Sequence, residues 1–180
     1  MRVIAGKAKG VRLSAPAGLA VRPTLDRVRE ALFSILGPRL DGAHFLDLFA
    51  GSGANGIEAL SRGAKSCTFI DNAVRARDAI LENLKKAHLA DHARLSSLRL
   101  PAGIRELAQE DFKYDIVFAD PPYGFKEYHP LLQHTQEGQL LAPDGIVVIE
   151  HATRRPMPEG ADLELVRQAV YGDTTLSFFS

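Results

Sequence analysis

Three carboxylates stand at the ends of apolar runs in this sequence, in places where they could do chemistry. Asp47 lies in "HFLDLF" just ahead of the glycine-rich "AGSGANG", Asp71 closes "SCTFID", and Asp120 follows "YDIVFA" in the stretch "VFADPPYG". Gly51, Gly53 and Gly56 have the spacing G-x-G-x-x-G before a helical stretch. Glycine there permits a tight turn and lets a ligand lie against bare backbone at a helix N-terminus. Asp71 comes 20 residues after Gly51, a place from which a carboxylate can accept hydrogen bonds from both hydroxyls of a ribose. The chemistry suggested is nucleoside-cofactor binding, with Asp47, Phe49, Gly51, Ser52, Gly53, Asp71 and Asn72 as candidate contacts.

Charge separates the two cofactor classes that share this spacing. A dinucleotide brings a pyrophosphate of charge about −2 to the loop, and helix dipole and backbone N–H groups favour anions. Here Asp47, Asp71 and Asp120 are expected to ring one crevice at the carboxyl edge of the sheet, which disfavours a pyrophosphate and an NAD-dependent oxidoreductase. S-adenosylmethionine carries a sulfonium, an ammonium and one carboxylate, and it has a ribose for Asp71. The acidic crater suits it.

The stretch "DPPY", residues 120 to 123, falls in the same crevice. An exocyclic amine is a poor nucleophile because its lone pair is delocalised. Two acceptors that bind both amine hydrogens draw that pair toward an electrophile, and Asp120 with the carbonyl of Pro121 can supply them. Pro121 and Pro122 fix φ and hold the turn extended, and Tyr123 can stack on a flat ring. These four residues are the candidate catalytic set.

The elements that must position these residues follow from periodicity. Apolar runs of strand length at 44–49, 66–71, 93–98, 114–119 and 145–150 alternate with helical stretches near 54–62, 73–89, 101–109 and 126–136. That alternation predicts βαβ units and a parallel sheet covered on both faces. "LELVRQAVY" and "TTLSFF" flank the turn "GD" and predict an antiparallel C-terminal hairpin, giving a seven-stranded, mostly parallel α/β sheet. At the other end, residues 2–15 read as a basic β-hairpin, and a helix opens after Pro23.

With 180 residues, 46% of them hydrophobic, the chain fits one domain with a single core. No apolar run reaches bilayer length and no signal-peptide segment opens the sequence, so a soluble, cytoplasmic protein is expected. The single cysteine, Cys67, sits in an apolar run and is read as a small buried thiol. Net charge is zero, but residues 1–40 hold eight basic residues against Asp26 and Glu30, a local charge of +6. Such a block can neutralise phosphates. Lys7, Lys9 and Arg12 are candidates for gripping RNA, with Arg22 and Thr24 lining the crevice.

On "RVIAGKAKGVRL", "VRPTLDRVREALFSIL", "LDLFAGSGANGIEALSRGA" and "YDIVFADPPYG", the chain resembles the RsmD family of small-subunit rRNA guanine-N2 methyltransferases, over nearly its whole length. The wider likeness is to Rossmann-like S-adenosylmethionine-dependent methyltransferases with the motif [DNS]-P-P-[YF], which also methylate adenine, cytosine and glutamine. The resemblance implies a Rossmann-like methyltransferase fold with residues 1–40 as an RNA-binding extension. It implies cofactor binding by Asp47, Gly51, Gly53 and Asp71, and capture of the target amine by Asp120, Pro121, Pro122 and Tyr123. It further implies methylation of the N2 amine of a guanine in rRNA or an assembling small-subunit particle; the transfer is expected to be in-line, to a base turned out of the RNA, without a metal and by a monomer. Relatives commonly carry an Asn or Asp after strand three. "RLSSLRLPAGIRE" has neither, which leaves backbone near Leu98–Leu100 and the side chain of Asn72 for the adenine.

Other readings are a non-catalytic RNA-binding module, which has no use for the acidic crater, and a DNA or protein amine methylator. Glu150 reads either as a border of the crevice or as a solvated acid at the sheet edge. Phe125 and Tyr128 read as helix-start packing or as flanks of a flipped base. His88 and His92 lack the companions of a metal site.

Overall fold

The computed structural model describes residues 1–16, 23–122, 124–155 and 163–180, with the backbone alone for 23–25. Helix α1 (Pro23–Leu36) leads into strand β1 (His44–Leu48), then α2 (Ala54–Ser61), β2 (Ser66–Ile70), α3 (Val74–Ala87), β3 (Ala93–Ser96), α4 (Ile104–Ala108), β4 (Tyr114–Ala119), α5 (Tyr128–Glu137), β5 (Leu141–Ala152), β6 (Leu165–Tyr171) and β7 (Thr174–Phe179). The strands form one sheet in the order β3-β2-β1-β4-β5-β7-β6. Strands β1 to β5 run parallel, and β7 is antiparallel to both β5 and β6. This is the expected seven-stranded sheet with its C-terminal hairpin.

Alternation along each strand divides the core into two layers. Phe45, Phe69, Ile116, Phe118 and Val148 pack with Leu32 and Phe33 of α1, Ile57 of α2 and Ile80 of α3. Leu46, Leu48, Val117 and Ile149 pack on the opposite face with Ile104 and Leu107 of α4 and Leu131 of α5. After β3 the chain crosses back past β1 to lay down β4, so the strand order reverses between β1 and β4. A crevice opens at the carboxyl ends of strands at such a reversal.

Three expectations shift in detail. Strand β5 starts at Leu141 rather than 145, because Leu141 pairs with Tyr114 and Ile146 with Ile116, and the residues between bulge out of register. The helix expected at 101–109 is reduced to Ile104–Ala108. The N-terminal hairpin is reduced to a single antiparallel bridge, Arg2 to Arg12, with the Val3 N–H on the Val11 carbonyl and the Leu13 N–H on the Met1 carbonyl, while the N–H groups of Ile4, Ala5 and Ala8 turn to side chains of Glu58 and Ser61. Cys67 is buried as expected. Among the described residues no helix is long and apolar enough to cross a membrane, and no three His, Cys, Asp or Glu side chains gather as metal ligands would.

Candidate active site

The register lines up the chemistry. Leu48 stands opposite Ile70 and Ala119, and Ala119 opposite Ile149, so the residues one step further form a row along the carboxyl edge: Asp71, Phe49, Asp120, Glu150. Phe69, Phe118 and Val148 face the layer of α1, α2 and α3, and Asp71, Asp120 and Glu150, two residues on, return to that side.

The loop after β1 turns sharply, with positive φ at Phe49 (60°), Gly51 (55°) and Gly53 (75°). Asp71 holds it. One carboxylate oxygen accepts the Gly51 N–H at 2.8 Å and the other accepts the Ala73 N–H at 2.9 Å. Each oxygen keeps a further lone pair for a ligand hydroxyl. The guanidinium of Arg77 donates to the carbonyls of Asp71 (3.2 Å) and Asn72 (2.9 Å), pinning the turn between β2 and α3. Nothing in the sequence singled out Arg77. Ser52 and Gly51 are half-buried beside the crevice, and Asn72 is exposed.

Asp47 departs from the expected crater wall. It is 1% exposed and its carboxylate accepts the N–H of Gly56 at 2.9 Å, bracing the first turn of α2 against β1. Burial holds its carboxyl well above the usual range, the Gly56 hydrogen bond offsets part of that, and Asp120 and Asp71 add to it. Two carboxylates and Glu150 border the crevice, with Asp47 behind them.

After β4, Pro121 is buried and Pro122 exposed, and the Phe125 N–H donates to the Pro122 carbonyl at 3.0 Å. Asp120 stays accessible to water at the bottom of this turn, yet protein encloses it closely enough that burial pushes its carboxyl up to about 6. Tyr123 lies outside the described residues. Phe49 meets Phe125 edge-on with centroids 5.2 Å apart, and Phe125 meets Tyr128 at 5.1 Å. This aromatic chain joins the glycine loop to the "DPPY" turn. Tyr128 is buried and Phe125 half-buried, so both pack as a helix start does. Arg155, which follows β5, donates to the Phe125 carbonyl at 3.1 Å and bonds the Tyr128 side chain, closing that wall.

Glu150 is half-buried rather than a solvated edge acid. Burial first, then the neighbouring Asp120, push its carboxyl up to about 8, against an opposing pull from Arg29.

Lys7, Lys9 and Arg12 are exposed, while Val3, Ala8 and Leu13 of the same segment are buried in the α1–α3 layer. Fixing that segment are two residues the sequence did not flag. Glu58, 1% exposed on α2, accepts the N–H groups of Ile4 (2.7 Å) and Ala5 (3.0 Å) and pairs with Arg62. Asn83, wholly buried on α3, accepts the Ser14 N–H and donates to the carbonyls of Ser14 and Ser52, tying the segment to the glycine loop. An acid inside the apolar "GIEAL" is the one sequence signal that could have found Glu58. Arg29, counted in the basic block, is buried instead and donates to the Arg2 carbonyl and to Asp26. Arg22 and the side chain of Thr24 lie outside the described residues.

Residues 1–180 match the family described as Conserved hypothetical protein 95. The chain is 40% identical over 180 residues to YlbH of Bacillus subtilis (strain 168), a protein provisionally named an rRNA methyltransferase, covering 99% of this chain and 98% of that one. It is 33% identical over 180 residues to the Ribosomal RNA small subunit methyltransferase D of Escherichia coli (strain K12), covering 99% and 89%. A solved Escherichia coli structure, yhhF, provisionally named a methyltransferase, matches with TM-score 0.83 at 33% identity over 99% of this chain and 96% of that one. The fold is the Rossmann-like methyltransferase fold, and the chain belongs to the Conserved hypothetical protein 95 family, that of the ribosomal RNA small subunit methyltransferase D proteins.

Proposed function

We propose that this protein moves a methyl group from S-adenosylmethionine to the exocyclic N2 amine of a guanine in small-subunit rRNA. The observation that carries the reading is the row Asp71, Phe49, Asp120, Glu150, which sets a ribose-type acceptor and an amine-type acceptor on either side of the glycine loop. The residues fit the cofactor: Asp71 retains acceptor capacity after bonding Gly51 and Ala73, and the crevice's negative charge complements a cation of about +1. S-adenosylmethionine supplies an electrophilic methyl group whose C–S electron pair stays on sulfur as the amine's lone pair makes the new N–C bond.

Asp120 and the Pro121 carbonyl accept the two amine hydrogens and orient the lone pair, and Asp120 takes the proton that the methylated amine sheds. Tyr123 stacks on the turned-out base, and Lys7, Lys9 and Arg12 hold RNA phosphates, with Arg22 and Thr24 at the rim. Residues 1–40 belong to the one methyltransferase domain as its RNA-binding extension, a reading supported by Val3, Ala8 and Leu13 in its core. In this reading the protein works in the cytoplasm as a monomer, which sedimentation would check.

In a tritiated-methyl assay on rRNA, Asp120→Ala is expected to abolish transfer while cofactor affinity by calorimetry changes little. Asp71→Ala is expected chiefly to weaken the cofactor. A fully active Asp120→Ala protein overturns the assignment, and mass mapping of rRNA from cells with and without the gene identifies the nucleotide.

A further inference from the structure

Glu150 has no part in the scheme above, yet it is placed next to the residue that matters most there. Ala119 and Ile149 are register partners on the parallel strands β4 and β5, so Asp120 and Glu150 follow at matched positions, one strand spacing of about 4.8 Å apart, on one face of the sheet. The glycine loop lies on the β1 side of Asp120, and Glu150 on the other. Arg29 of α1, with its side chain 4% exposed, is the cation that faces Glu150; its outer nitrogen bonds the Arg2 carbonyl and Asp26, and its Nε has no hydrogen-bond partner. On the remaining side β7 offers uncharged Leu176 as the register partner of Glu150. The charged groups that meet Glu150 are therefore Asp120 and Arg29 alone among the described residues.

We propose that Glu150 is a positioning residue for methyl transfer, a protonated carboxyl that donates a hydrogen bond to the Asp120 carboxylate and aims its remaining lone pairs at the target amine. This rests on the function proposed above. Two carboxyls carried at matched positions of neighbouring strands and facing one crevice resist double ionisation, so the pair keeps one proton. Asp120 is exposed to water whereas Glu150 is half-buried, so the shared proton resides on Glu150 and Asp120 is the acceptor, the direction in which burial and the neighbouring Asp120 also push the Glu150 carboxyl. When the methylated amine sheds its proton to Asp120 the pair becomes neutral, and release of one proton to solvent restores the starting state. A neutral partner thus serves Asp120 twice, as a hydrogen-bond donor before transfer and as a neighbour that does not oppose release afterwards.

The test is the pH profile of single-turnover methyl transfer to small-subunit rRNA by the wild-type protein, Glu150→Gln and Glu150→Ala. Wild-type rate is expected to rise through pH about 6 as Asp120 ionises and to fall above about 8 as Glu150 ionises. Glu150→Gln, an uncharged donor of the same size, is expected to keep the neutral-pH rate and to lose the alkaline fall. Glu150→Ala is expected to lower the single-turnover rate roughly tenfold with cofactor affinity by calorimetry unchanged, the effect of one charge-assisted hydrogen bond lost. A Glu150→Gln profile that still falls above 8, or an alanine variant with the wild-type single-turnover rate, overturns the proposal. Asp120→Ala run alongside separates the two readings: if it is active the site assignment fails, and if it is inactive while the Glu150 variants behave as wild type, only the role of Glu150 fails.

Discussion

Asp47 illustrates how one carboxylate can belong to a site without lining it. Its carboxyl is held well above the unfolded value of 3.8 by burial, so the folded state binds that proton more tightly than the unfolded chain does. Stability from this group is therefore full below about pH 4 and is lost as pH rises. Asp47→Asn keeps an oxygen for the Gly56 N–H and removes the titration. It is expected to be more stable than wild type in urea melts at pH 7, with the difference vanishing toward pH 4. Lower stability at pH 7 would mean that the ionised form is needed. Gly56 makes the same point about the glycine motif. A Cβ there would lie 2.3 Å from the Phe69 ring and 2.5 Å from the Cys67 sulfur, so the third glycine of G-x-G-x-x-G brings α2 onto β2 rather than meeting a ligand.

At the scale of elements, the segment before α1 is held to the helices that carry the cofactor loop. Glu58 on α2 caps two successive N–H groups, Ser61 accepts the Ala8 N–H at 2.9 Å and donates to the Ala5 carbonyl at 2.6 Å, and Asn83 on α3 reaches both Ser14 and Ser52. Gly6 sits so close to α2 that a Cβ would lie 1.8 Å from the Ser61 carbonyl oxygen. Glu58→Ala leaves the Ile4 and Ala5 N–H groups and Arg62 without their acceptor. A loss of roughly 2–4 kcal/mol is expected, with faster hydrogen exchange at Ile4 and Ala5 than in the strands. Unchanged protection there would show that the segment is held by its apolar contacts alone. This docking was not legible in the sequence. "RVIAGKAKGVRL" reads as a hairpin and folds as one, with the Val3 N–H on the Val11 carbonyl, whereas the acceptors of the Ile4, Ala5 and Ala8 N–H groups lie more than 50 residues away.

Over the whole molecule, charge and apolar residues on the N-terminal segment separate by face, with Lys7, Lys9 and Arg12 outward and Val3, Ala8 and Leu13 inward. The triple variant Lys7→Ala, Lys9→Ala, Arg12→Ala removes only the outward set. RNA affinity is expected to fall, with the slope of log K against log salt shallower by about 2 to 3, while cofactor calorimetry stays as in wild type. An unchanged salt slope would detach these residues from RNA binding.

Strand identity, the parallel sheet and the C-terminal hairpin were determined by sequence alone, because buried parallel strands are continuous apolar runs and "YGDT" is a two-residue hairpin turn. Asp71, Asp120 and the glycine loop were legible for the same reason: each follows directly on such a run. What only the tertiary structure decided is which acids face the crevice. Register placed Glu150 beside Asp120 and drew Asp47 inside, and the packing of α1 drew Arg29 inside; both are properties of contact between elements far apart in the chain, invisible to any local pattern of residues.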